Sequence, residues 1–270
     1  MIRPKIVGIV NITTDSFSDG GKFIEPAAAI EHARALIKDG ADIVELSGAS
    51  SNPRSHGVSA EMQIGRIAPV LQALECSISV DATNTEAQRF ALAEGAAYLN
   101  DIRGFPDEHI YETLAKSRAK LIVMHCISDL QKAVRVQKTP EEVFDSIFTF
   151  FDARLPKLKA AGIAPERMII DPGMGFFLSS NPEPSLAVLA HIGELKKRYD
   201  LPVMVSVSRK SFLKNLAPSD DTDIQSRTLA AELFAATQSV DYIRTHDVRA
   251  LNQGLQTAIA IESAGSAHHP

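Results

Sequence analysis

Asp39-Gly40-Ala41-Asp42-Ile43-Val44-Glu45-Leu46 and Glu94-Gly95-Ala96-Ala97-Tyr98-Leu99 carry one signal twice. In each, an acidic residue and a glycine close a helical stretch and pass the chain straight into a short buried run. Glycine ends a helix there in the left-handed conformation at no steric cost. Outward from these two joints, short apolar or β-branched runs alternate with longer segments of helical period, the pattern of βα units around a parallel sheet. Eight runs read as strands: 5–10, 42–46, 77–80, 97–99, 120–124, 168–170, 203–207 and 241–244. Helical patterns lie between them, such as Pro26 to Lys38, with proline at a first helical position, and 59–75. Eight units in 270 residues match a (β/α)8 TIM barrel. An open doubly wound sheet is the alternative, because alternation alone does not prove closure. No Gly/Ser-rich or Pro-rich linker divides the chain, so residues 1–264 read as one domain and 265–270 as a flexible tail.

Hydrophobic residues make up 45% of the chain, enough for one large core. A net charge of -5 gives no global field for nucleic acid or an anionic membrane, so an anionic ligand must be held by local groups. Two cysteines, Cys76 and Cys126, make neither a disulfide framework nor a thiolate zinc site and point to a reducing, cytoplasmic setting. The apolar run after Arg3 and Lys5 is broken at Asn11, too early for a signal segment or a membrane span.

In a barrel of this kind chemistry sits at the carboxyl ends of the strands. The residues there are polar throughout: Asn11, 47–52, Asp81, Asn100-Asp101, His125, Asp171, Ser208-Arg209-Lys210 and Arg244-Thr245-His246. Helix capping is the competing explanation for any single Asn, Asp or Ser. Capping accounts poorly for Lys210, Arg244 and His246, whose cationic or potentially cationic side chains do not suit a helix N-terminus and read as an anion site. Asp81, Asn100 and Asp171, with walls of Ile102, Met124, Phe176 and Phe177, suit a flat nitrogen heterocycle, although core packing alone also explains Met124 and Phe176. Two long Gly/Ser-rich segments, 13–21 and 48–57, follow the first two strands and read as lids or as solvated connections. Phe17 inside the first favours a lid.

Gly8-Ile9-Val10-Asn11-Ile12-Thr13-Thr14-Asp15-Ser16-Phe17-Ser18-Asp19-Gly20-Gly21 resembles the first signature of the dihydropteroate synthases, and Asp171-Pro172-Gly173-Met174-Gly175-Phe176 a second. Asn100-Asp101-Ile102, Ser208-Arg209-Lys210-Ser211 and Arg244-Thr245-His246-Asp247 resemble three more, in the family's order. The resemblance implies that dihydropterin pyrophosphate is joined to p-aminobenzoate with loss of pyrophosphate, in folate biosynthesis. It implies a pterin site of Asp81, Asn100, Ile102, Met124, Asp171, Phe176 and Lys210, with Asp81, Asp171 and Lys210 catalytic. It implies pyrophosphate contacts from Asn11, Ser51, Arg244 and His246, Mg2+ at Asn11, and p-aminobenzoate against Phe17, Pro53, Phe176 and Ser208. A homodimer through the last helices, with 229–236 apolar, is also implied; packing on the barrel is the alternative for that segment.

The chain departs from the common pattern in places. Ala49-Ser50-Ser51-Asn52-Pro53 stands where Glu-Ser-Thr-Arg-Pro is usual, Asp81-Ala82 where Asp-Thr is usual, and Phe177-Leu178 where Gly-Lys is usual. Ala49-Ser50-Ser51-Asn52-Pro53, Asn100-Asp101-Ile102-Arg103-Gly104-Phe105-Pro106-Asp107 and Gly173-Met174-Gly175-Phe176-Phe177-Leu178 resemble the mobile sulfonamide-insensitive branch of the family, which implies a p-aminobenzoate pocket that discriminates against sulfonamides. Three other functions compete. A Schiff-base aldolase is suggested by Lys210 alone. A pterin-dependent methyltransferase would have no use for the Arg244 and His246 pair, and a pterin-binding protein without turnover is suggested by the missing lid arginine.

Overall fold

The computed structural model describes residues 1–13, 25–49, 58–128, 135–216 and 223–266. Eight parallel strands run β1 (Lys5–Asn11), β2 (Ile43–Ser47), β3 (Ile78–Asp81), β4 (Tyr98–Asp101), β5 (Lys120–Met124), β6 (Met168–Asp171), β7 (Met204–Val205) and β8 (Tyr242–Thr245). Each of β1 to β5 pairs with the next in sequence, and β8 joins β1 to β7. The remaining seam is bridged by Ile170 and Val203, where the Ile170 N–H also donates to the Pro202 carbonyl at 2.9 Å. The sheet therefore closes on itself, and the open doubly wound arrangement does not apply.

Helices follow the strands: α1 (Pro26–Lys38), α2 (Ala60–Gln72), α3 (Thr85–Ala93), α4 (Tyr111–Lys116), α5 (Pro140–Ala160), α6 (Pro182–Ala190), α7 (Ile192–Tyr199), α8 (Ser211–Lys214), α9 (Ile224–Thr237) and α10 (Val248–Ser266). Local chemistry sets their ends. Ser59 accepts from the Met62 N–H to start α2, and Thr139 with Glu142 forms a full capping box on α5. Gly40 and Gly95 take φ of +106° and +85°, and the Ala41 N–H reaches back to the Leu36 carbonyl, so the repeated joint is the helix stop read from the sequence. α10 runs two residues into the expected tail; residues 267–270 lie outside the described residues.

Strand β7 is shorter than expected. Val203 is spent on the single bridge to Ile170, and the Val207 carbonyl accepts from the Lys210 N–H in a turn, which leaves Met204 and Val205 as ladder. Side chains alternate in and out along every strand. The outward set, including Ile6, Val44, Leu46, Val80, Leu99, Leu121, Val123, Ile170 and Val205, packs under the helices as the main core. The inward set at the lower end, Val7, Ile43, Tyr98, Ile122, Ile169, Met204 and Tyr242, forms a separate apolar plug. Among the described residues no helix is long and apolar enough to cross a membrane.

Candidate active site

One step above the plug the inward positions turn polar. Two residues along β2 from Ile43 comes Glu45, two along β4 from Tyr98 comes Asn100, and two along β8 from Tyr242 comes Arg244. Register places Glu45 beside Ser79, and Asp81 beside both Ser47 and Asn100. Glu45 is fully buried and gathers three donors: Arg244 Nε, in a short contact; Ser79 Oγ at 2.9 Å; and Asn100 Nδ2 at 3.2 Å. Arg244 also reaches Asp81 Oδ2 at 3.5 Å. Asn100 Oδ1 is buried and has no hydrogen-bond partner among the described residues.

Asp171 ends β6 alongside Met124 of β5 and is buried. Its Oδ1 accepts from the Gly173 N–H at 2.8 Å. Gly173 has φ +77°, and a Cβ there would fall 2.5 Å from the His125 carbonyl, so only glycine makes this turn. Burial pushes the Asp171 carboxyl up to about 6. Burial and the nearby Glu45 carboxylate likewise push Asp81 upward, against the pull of Arg244. Lys210 is pulled down to about 8 by burial and by the Arg244 charge, and its ammonium lies 4.5 Å from the centre of the Phe177 ring. Ile102, Met124 and Phe177 make one small buried cluster, with Phe176 and Cys126 partly buried against it. Phe176 is stacked from outside by Arg135, 5.3 Å from its centre. A patch of apolar wall thus adjoins carboxylates, an amide acceptor and a lysine, the mixture that suits a hydrogen-bonding ring.

Beyond Arg244, His246 Nδ1 lies 2.9 Å from Ser208 Oγ, and the same Oγ accepts from the His246 backbone N–H at 3.1 Å. While it accepts the backbone N–H, the Ser208 hydroxyl is free to donate its O–H to Nδ1, and that arrangement pairs with the tautomer whose proton is on Nε2. Burial and the cations Arg209 and Arg244 push His246 down to about 3, so it is a neutral donor at physiological pH and not the cation its sequence position allowed. Arg209, between Ser208 and Lys210, has φ +57°. This strained conformation turns the chain so that the flanking side chains serve two ends of the mouth.

The structure thus brings together Asp81, Asn100, Ile102, Met124, Asp171, Phe176, Lys210 and Arg244, with Ser208 and His246 paired beside them. The Ser208 hydroxyl, expected at a substrate carboxylate, is hydrogen-bonded to His246 in this structure. Asn11 closes β1, half-buried. Phe17, Ser51, Asn52 and Pro53 lie outside the described residues. His125, though it ends a strand, is structural: Nδ1–H donates to the Pro172 carbonyl at 3.0 Å, Ser146 donates to Nε2 at 2.9 Å, and burial pushes it down to about 4. Asp101 faces Gln88 and the Arg103 N–H. Glu45 and Ser79 were missed because attention to strand ends passes over strand interiors. A carboxylate between Val44 and Leu46 in a buried run was the available signal.

Known proteins resemble this chain over most of its length. Residues 7–246 match the pterin binding enzyme family. The chain is 52% identical over 260 residues to the type-2 dihydropteroate synthase of Escherichia coli, covering 95% of this chain and 96% of that one. Among solved structures it is similar to dihydropteroate synthase from Anaplasma phagocytophilum with bound 6-hydroxymethylpterin-monophosphate, at 35% identity and TM-score 0.83 over 96% of this chain and 100% of that one. The enzyme of Xanthomonas albilineans with 4-aminobenzoic acid matches at 31% identity and TM-score 0.84, over 96% of this chain and 93% of that one. Over nearly its whole length the chain belongs to the pterin-binding enzymes and, within them, to the dihydropteroate synthases.

Proposed function

We propose that this protein condenses 7,8-dihydropterin pyrophosphate with p-aminobenzoate, a step of folate biosynthesis, in a pocket that discriminates against sulfonamides. The observation that carries the first part is buried Asp171 and Asn100 with half-buried Lys210 against the apolar wall of Ile102, Met124 and Phe177. Asp171 and the unpartnered Asn100 Oδ1 accept ring and exocyclic N–H groups, and Lys210 donates to ring acceptors. In the reaction the bond from the exocyclic methylene to the pyrophosphate oxygen breaks. The amine of p-aminobenzoate forms the new C–N bond and gives up one proton, which the departing pyrophosphate or solvent takes up. Positive charge gathering on the pterin methylene is met by Asp81 and Asp171, and negative charge on the leaving group by Arg244 and the Nε2–H of His246.

A divalent cation fits the donor set on one condition. Among the described residues no group of three His, Cys, Asp or Glu can cage a metal, so Mg2+ would take the Asn11 amide oxygen plus substrate phosphates and water. Such a cation would neutralise part of the pyrophosphate charge. The p-aminobenzoate ring would lie against Phe176, with Phe17 and Pro53 from the lid segments, and for Ser208 to meet its carboxylate the hydroxyl would have to turn its proton away from His246. Discrimination against sulfonamides is supported by the turn Gly175–Phe177, which sets Phe176 at the rim and Phe177 beneath Lys210, where the common pattern has Gly-Lys in place of Phe177-Leu178. A cytoplasmic homodimer fits exposed Phe234 on α9 and Ile261 on α10, 44% and 68% accessible; light scattering of the purified chain checks its mass.

Pyrophosphate release by the purified protein, with Mg2+ and both substrates, tests the activity. Release that requires p-aminobenzoate and persists with sulfamethoxazole is expected. Release abolished by the drug, at the concentration that blocks an ordinary bacterial synthase, would overturn the discrimination alone; no release would overturn the synthase reading.

A further inference from the structure

We infer that Glu45 is a positioning residue that sets the hydrogen-bond polarity of Asn100 and anchors Arg244, so that the barrel presents an acceptor, not a donor, to the pterin. An ionised carboxylate accepts and cannot donate. Of the two ends of the Asn100 amide only Nδ2 can therefore face Glu45, where it sits 3.2 and 3.4 Å from the two carboxylate oxygens. Oδ1 must face the other way, and among the described residues it is a buried side-chain oxygen that lacks a partner. A buried acceptor without a partner costs stability until something supplies an N–H. Dihydropterins carry N–H groups on the ring and on the exocyclic amine, so a bound ring relieves the deficit.

The carboxylate has no slack to serve both ends. Ser79 occupies Oε2 and Arg244 Nε occupies Oε1, so Glu45 is held in one rotamer, at zero exposure, from three different strands. With its Nε spent on Glu45, the rest of the Arg244 guanidinium is aimed at Asp81 and the mouth. One side chain in the middle of β2 thus coordinates the amide that would read the ring with the cation that would meet the leaving group. A neutral glutamine here could donate as well as accept, and the Asn100 amide would lose its fixed sense.

This inference rests on the pterin reading above. Its test is a cycle of Glu45→Gln, Asn100→Asp and the double variant, read as KM for each substrate and kcat. Charge-assisted hydrogen bonds contribute about 1.5–3 kcal/mol, so Glu45→Gln should raise KM for dihydropterin pyrophosphate by roughly tenfold to a hundredfold. KM for p-aminobenzoate should move little. Asn100→Asp sets a carboxylate against Glu45 and should be worse. The double variant should recover part of that loss, because the amide introduced at 45 can donate to the acid introduced at 100. Multiplicative effects, or a Glu45→Gln enzyme with wild-type KM, would overturn the inference. Should Glu45→Gln not fold, the wild-type chain labelled with 15N-asparagine supplies the answer: the Asn100 side-chain amide protons should resist exchange without ligand, and rapid exchange would overturn it. Wild-type protein that fails to release pyrophosphate would instead defeat the synthase reading, independently of this cycle.

Discussion

The lower and upper halves of one barrel interior are built by the same rule and do opposite work. Both consist of every second residue on the same strands, so the chain enters the barrel at Ile43 and again at Glu45, at Tyr98 and again at Asn100, at Ile169 and again at Asp171. The lower layer is apolar, with Tyr98 and Tyr242 meeting edge to face at 6.2 Å. The upper layer holds Glu45, Asp81, Asp171, Lys210 and Arg244 within mutual electrostatic reach. A closed parallel barrel can hold so dense a cluster of charge because the plug and the helices around it carry the burden of stability.

Arg244→Ala should break the upper layer most severely. It leaves Glu45 and Asp81 without their cation, and breaking a buried pair costs about 3–5 kcal/mol. Pyrophosphate release should fall by two orders of magnitude or more, with a lower melting temperature; a variant of wild-type activity would show that the guanidinium is not in the mechanism. Ile122→Ala, in the plug, should cost about 2–5 kcal/mol in denaturant unfolding while activity per folded molecule survives. Loss of activity without loss of stability there would erase the division between the layers.

Glu232 on α9 sharpens the contrast from outside the barrel. It is buried, one of its oxygens has no partner, and burial pushes it up to about 8. The folded chain then holds a proton that the unfolded chain releases near 4.5, so stability falls as pH rises from about 4.5 through about 8. Glu232→Gln should remove that decline, gaining on the order of a few kcal/mol at pH 8 relative to wild type, with turnover intact. Thermal unfolding across pH decides it, and parallel curves for the two proteins would refute it. The smallest effect is expected from Ser208→Ala. Losing the hydroxyl that fixes the His246 tautomer should lower kcat/KM by about tenfold, the worth of one hydrogen bond, and leave pterin affinity unchanged. A pterin affinity that fell with it would place Ser208 in the ring site.

The strands and helices were legible because they rest on local rules. Glycine at 40 and 95, proline at 26 and the period of the apolar runs act over a few residues, and the observed element ends mostly fall within one or two positions of expectation. The polar residues after each strand were legible for the same reason: in this fold a strand end is already a place in the site. Phe176 and Phe177 stand next to each other in the chain, yet one meets Arg135 at the rim and the other lies beneath Lys210, which depends on a single short turn.

Amino-acid order by itself determined where the chain turns, which runs are buried, and that acids, amides and cations arrive at one end of the sheet. Tertiary structure alone decided that the sheet closes, since the seam depends on one bridge between Ile170 and Val203 across 33 residues of chain. It also decided that Glu45 belongs to the site, that His246 is neutral and that Ser208 is hydrogen-bonded to it. Spacing along a chain reports conformation over a few residues. Charge state and hydrogen-bond partnership are set by groups from distant strands that meet only when the barrel forms.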